Sequence, residues 1–146
     1  MRGTVAASAL AVALAVAGCG GGDEGDGGGG GGSEDLVAAV ETCFKEAQLP
    51  DVRVTEELQP EVLDAGAEAA VLSHAPEEYS ADQVVVFDSA ENAKAYSDAQ
   101  TAEDKAQNQG ALKGVVNFAA FGRSSVLTYG EGPRQDKIIA CARENP

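Results

Sequence analysis

The stretch Ala69–Asp88, AAVLSHAPEEYSADQVVVFD, decides the fold. Ala69–Ala75 and Gln83–Asp88 are short runs rich in Ala, Val, Leu and Phe. Pro76–Asp82 between them is polar and turn-forming, so the pattern predicts a β-hairpin. Val84-Val85-Val86-Phe87 is apolar at every position. Successive strand residues point to opposite faces, so both faces of this strand must be buried.

Reading toward the C-terminus, Asp88 is placed to cap a helix, with Glu91 at the capping-box position. Ala90–Gln107 is Ala-rich and predicts a helix with Ala93, Tyr96, Ala99 and Ala102 along one side. Gly110 and Gly114 end it. Val115–Phe121 and Ser124–Tyr129 predict two strands joined by a tight turn at Gly122-Arg123, with Phe118 and Phe121 on opposite faces. Reading toward the N-terminus, DVRVT at Asp51–Thr55 alternates as a short strand does. Glu56–Ala67 contains Pro60 and Gly66 and reads as a loop or a short helical turn.

The outer segments are helical. In SEDLVAAVETCFKEAQLP, Leu36, Val40, Cys43 and Ala47 recur at helical spacing. Ser33 is the expected N-cap, Glu34 and Asp35 suit the first turn, and Pro50 ends the run. In GPRQDKIIACARENP, Pro133 suits the first helical position, and Ile138 with Cys141 or Ala142 forms an apolar stripe. The order is helix, strand, strand, strand, helix, strand, strand, helix, with no internal repeat.

The strand–helix–strand–strand–helix tail is similar in order to ferredoxin-like α+β domains. That resemblance implies an antiparallel sheet of about four to five strands with three helices mainly on one face. Helices on one face leave the other bare. The segment Glu56–Ala67, through Leu58, Val62 and Leu63, is expected to cover it, or else a second copy or a protein partner. If the segment falls short, a strip around Phe87 or Phe121 is the expected interaction surface, because large exposed apolar patches mark contact sites.

The N-terminus gives an address. Arg2 and the α-amino group precede Val5–Ala17, an unbroken run of small and apolar residues. As a helix the run rises about 20 Å, short of the ~30 Å hydrocarbon core of a bilayer. A positive start and a short apolar core describe a signal peptide. Val16-Ala17-Gly18-Cys19 resembles a bacterial lipobox, with Val where Leu is commoner. That resemblance implies cleavage between Gly18 and Cys19 and a diacylglyceryl group on the Cys19 sulfur. Two acyl chains suffice for lasting attachment at roughly 0.8 kcal/mol per buried CH₂. The expected product is exported and anchored by lipid to the extracytoplasmic side of the cell membrane.

Three parts follow: a signal peptide over 1–18, a disordered Gly-rich tether over 19–33, and a single domain over 34–146. The tether carries Asp23, Glu24 and Asp26, but the spacing is not that of an EF-hand, and it has no apolar side chains to bury. With Cys19 assigned to lipid, Cys43 and Cys141 remain, each on the inward stripe of a terminal helix. Export permits a disulfide between them. Closing a loop of nearly a hundred residues constrains the unfolded chain by roughly 4–5 kcal/mol in the entropic account. A metal site would need further ligands beyond His74, and a redox pair usually shows CxxC.

The chain carries 24 acidic against 10 basic side chains, a formal charge of −14, which disfavours binding to a nucleic-acid backbone. The acids concentrate before Asp104. His74 is the only histidine, and Ser73 beside it points to the opposite face of a strand. Glu56-Glu57 and Glu77-Glu78 are carboxylate pairs without a specific catalytic spacing, and the absence of Trp disfavours a sugar-stacking cleft. No cofactor or metal motif occurs. The sequence points to a membrane-anchored, non-catalytic binding or interaction module. The alternative is a small envelope hydrolase using carboxylates that the sequence does not identify.

Overall fold

The computed structural model describes residues 32–76, 80–108 and 116–146. Among the described residues, four helices and five strands follow one another. They are α1 (Ser33–Glu46), β1 (Val52–Thr55), α2 (Pro60–Asp64), β2 (Ala67–Ser73), β3 (Asp82–Phe87), α3 (Ala90–Asn108), β4 (Val116–Phe121), β5 (Ser124–Tyr129) and α4 (Pro133–Glu144). The strands form one sheet in the order β1-β2-β3-β5-β4, and every neighbouring pair is antiparallel. The expected α+β class and antiparallel sheet are present.

β2 and β3 pair as the hairpin pattern requires, with Val71 opposite Val84 and Ala70 opposite Val85. β3 is the central strand, which accounts for its unbroken apolar run. Val84 joins a core with Val40, Phe44, Val71, Val126, Ile138 and Ala142. Val85 and Phe87 join a second core with Ala67, Ala70 and Ala93. Each fully buried large apolar side chain contributes about 1.5–3 kcal/mol relative to exposure. The two cores lie on opposite faces of the sheet, because alternate residues of one strand feed them.

That division corrects the expectation of three helices mainly on one face. α1 and α4 cover the face of Val71, Val84 and Val126, while α3 covers the face of Val85 and Phe87. β5 lies between β3 and β4, so β3 and β4 run parallel on either side of it. The antiparallel pairing of the expected sheet is thus retained, whereas its one-sided helix layer is not. The physical cause is β3 itself, whose apolar side chains need cover above and below. The segment before β2 adds to that cover through Leu58 and Val62, which pack on the second core, whereas Leu63 stays 45% exposed.

Local details differ from the sequence reading in three places. Gly32, not Ser33, is the N-cap of α1, and Ser33 is its first helical residue. At α3, Ser89 Oγ accepts the Asn92 backbone N–H at 3.2 Å, so Ser89 caps in place of Asp88. Asp88 instead accepts from Asn92 Nδ2 at 2.8 Å and gives its own N–H to the Gly66 carbonyl. Along α3, Ala93 and Ser97 are buried and Tyr96 is half-buried, while Ala99 and Ala102 are exposed. Each step of three residues falls about 60° short of a full turn, so three such steps carry Ala102 to the side opposite Ala93.

The terminal helices lie side by side. A disulfide joins Cys43 of α1 to Cys141 of α4, with their Cα atoms 5.7 Å apart. Among the described residues, no helix is long and apolar enough to cross a membrane. Val5–Ala17, Gly18, Cys19 and nearly all of the tether lie outside the described residues.

Candidate functional site

α1 does not reach the outer corner of its sheet face. Among the described residues β1 pairs only with β2, as an edge strand, and Val54 stands opposite Val71 in that pair. Val71 is fully buried in the core beneath α1, but Val54, one strand further out, is 41% exposed. Between this corner and α1 runs a groove of about 470 Å³. Its apolar lining is Val37 and Ala38 from α1, Val54 from β1 and Ala69 from β2. Its acidic lining is Glu34 and Glu41 from α1, Glu56 after β1 and Glu68 in β2.

The four carboxylates are not equivalent. Glu41, half-buried, pairs with the exposed Lys45 one turn along α1 at 2.6 Å. Glu68 meets Arg123 at 3.3 Å. Arg123 sits in the β4–β5 turn, donates Nε–H to the Phe87 carbonyl at 2.9 Å, and reaches the Ser33 hydroxyl. It thereby holds the start of α1 against the end of the sheet, and Glu68 belongs to that clamp. The β2–β3 ladder shifts register between Ala67 and Ala69, and the residue inside that irregularity is Glu68. None of the ion pairs formed among the described residues uses Glu34 or Glu56.

A second polar cluster is buried. Asp82 has no exposed surface, and its carboxylate accepts from the Tyr129 N–H at 2.7 Å, from Gln135 Nε2 at 3.1 Å and from the Arg134 guanidinium. These partners fix the start of α4 to the start of β3 and the end of β5. Both carboxylate oxygens accept from the protein, which makes the cluster a structural joint. Sequence reading missed it, placing Asp82 in the turn. The available signal was an acid directly before an apolar strand, with Arg134 following a helix-starting Pro133.

The side chains singled out from sequence are distributed as follows. Cys43 and Cys141 are brought together. Phe87 is fully buried against Tyr96, with ring centroids 5.3 Å apart, so it forms no contact surface. Phe121 lies on the opposite face, half-buried against the first core, with the Arg143 guanidinium 5.3 Å from its ring centre. No contact strip therefore forms around Phe87, and Phe121 keeps a half-buried ring. The corner that α1 leaves open lies at the other edge of the sheet. Val54 was legible there as a strand residue, but only the helix's reach shows that it is uncovered.

Ser73 donates its hydroxyl proton to the Pro50 carbonyl at 2.9 Å and is buried, while His74 beyond it is half-buried. The two do not form a nucleophile–base pair. Glu56 and Glu57 are exposed, and Glu77 and Glu78 lie outside the described residues. Among the described residues, no group of three or more His, Cys, Asp or Glu converges as metal ligands. Comparison with protein-family models, with curated proteins and with solved structures finds no match to this chain.

Proposed function

We propose that this chain is an extracytoplasmic lipoprotein whose folded domain is a non-catalytic binding module, held at the membrane through acylated Cys19. The observation that supports the reading is the Cys43–Cys141 disulfide. A bond of this kind suits an oxidising compartment outside the cytoplasm. It also accounts for two of the three cysteines and leaves Cys19, in its lipobox-like setting, for lipid. The Gly-rich composition after Cys19 suits a spacer between bilayer and domain. The partly apolar groove between α1 and β1 is the surface on which binding is best supported.

Mass spectrometry of the mature N-terminus tests the anchor. The expected species begins at Cys19 and carries the mass of a diacylglyceryl group, and Cys19→Ala moves the protein out of the membrane fraction. An unmodified Cys19, or cleavage elsewhere, would refute the anchor.

A further inference from the structure

The groove beside β1 combines three properties that bear on one kind of occupant. Its floor is apolar, and Val54 there is one of only two large hydrophobic side chains exposed among the described residues. Its rim is acidic, and Glu34 and Glu56 enter no ion pair among the described residues. Its outer border is, among the described residues, an edge strand, which presents unpaired backbone N–H and C=O groups to any added strand. The carboxylates are spread along the groove rather than gathered, in keeping with the absence of a converging metal-ligand set among the described residues. A compact cation is therefore poorly matched, and an extended cationic partner is well matched.

We propose that this groove takes an extended polypeptide segment of a partner protein in which a Lys or Arg stands two residues from an apolar residue. The segment adds to β1 by main-chain hydrogen bonding. Residues two apart in an added strand share its groove-side face, so the apolar one packs beside Val54 and the cation meets Glu34 and Glu56. Strand addition supplies affinity through the backbone and selectivity through alternate side chains. Charge complementarity selects this occupant: a second copy of the domain would bring the same acidic rim against itself. The inference rests on the reading of the domain as a binding module and names the chemistry of its partner.

The test uses the full chain in mild detergent and a short synthetic peptide repeating Lys-Ser-Val-Ser. Binding is read by fluorescence anisotropy, and its location by hydrogen exchange. The expected result is saturable binding that slows exchange in β1 and the start of α1. Glu34→Gln with Glu56→Gln, or Val54→Asp alone, weakens it by about tenfold or more. The Gln variants retain the fold, because both positions are exposed; thermal unfolding checks this. Absence of binding overturns the proposal. So do equal affinity for an all-Lys peptide, displacement by calcium ion, or protection confined to another surface. Self-association of the chain that is lost in the Val54→Asp variant assigns the groove to a second copy and overturns it as well. Repeating the titration with Cys19→Ala separates the two readings. Peptide binding there is unchanged if the groove acts as proposed, whatever the fate of the anchor.

Discussion

Asp82, the first residue of β3, is fully buried and receives the guanidinium of Arg134 from the second position of α4. Fifty-two residues separate them in sequence. Taking two charges out of water costs several kcal/mol, and the cost is recovered only when each finds further partners. Asp82 has them in the Tyr129 N–H and Gln135 Nε2. Removing the carboxylate strands those donors and leaves the arginine in a poorly solvated site.

Asp82→Ala is accordingly expected to lower unfolding free energy by about 3–5 kcal/mol. Arg134→Ala should be comparably damaging. The double variant should cost clearly less than the sum, because each single change already breaks the same joint. Urea denaturation of the four proteins measures this. Strict additivity would show that the ion pair does not couple β3 to α4.

The Cys43–Cys141 bond spans a sequence separation of 98 and joins two helices that share one core. That core relies on Val, Ala and a few larger residues, so a cross-link restricting the unfolded chain carries a large share of the total stability. The paired variant Cys43→Ser/Cys141→Ser is expected to lose about 2–5 kcal/mol. The unmodified protein under reducing conditions should unfold at the same denaturant concentration as the variant. A midpoint unmoved by reductant would overturn the prediction.

The elements most legible in the sequence are those whose pattern matches a single period. Ser124–Tyr129 is β5 to the residue, and the stripe Leu36, Val40, Cys43 and Ala47 faces the core of α1 as spacing requires. The disulfide followed from the same stripes. Which face each helix covers was not legible, because Val84-Val85-Val86-Phe87 states only that both faces need cover. The exposure of Val54 was hidden for a related reason: it depends on how far α1 extends over the sheet. Asp82 was misplaced because a buried acid is recognisable only once its partners from β5 and α4 are known.

Gly66 links α2 to β2 with φ +88°, a conformation open to glycine and costly for residues with a Cβ. A Cβ there would stand 2.6 Å from Asn92 Nδ2 and 2.8 Å from Asp88 Oδ1, the pair at the start of α3. Gly130 has φ +81° with nothing within 4 Å of a built Cβ. Both Ala variants incur the backbone cost of about 1–2 kcal/mol, but only Gly66→Ala adds a collision. Gly66→Ala should therefore unfold at a distinctly lower temperature than Gly130→Ala. Equal melting temperatures would mean that Asp88 and Asn92 yield without loss.

Tyr96 projects from α3 onto Phe87, its ring tilted 42° to the phenyl plane. Burial raises its phenol above the usual 10.0, and the negative charges of Tyr129 and Glu103 push in the same direction. A raised value in the folded state means that the native protein holds the proton more tightly than the unfolded chain does. The resulting stabilisation is complete below the unfolded value and is lost as pH climbs from about 10 through the folded value. Stability measured by urea denaturation at successive alkaline pH should therefore fall more steeply for the unmodified protein than for Tyr96→Phe, which keeps the ring contact and has no proton to lose. Glu103→Gln should bring the onset of tyrosinate absorbance at Tyr96 to lower pH. Parallel stability curves for the unmodified protein and Tyr96→Phe above pH 10 would show that this phenol titrates as it does in the unfolded chain.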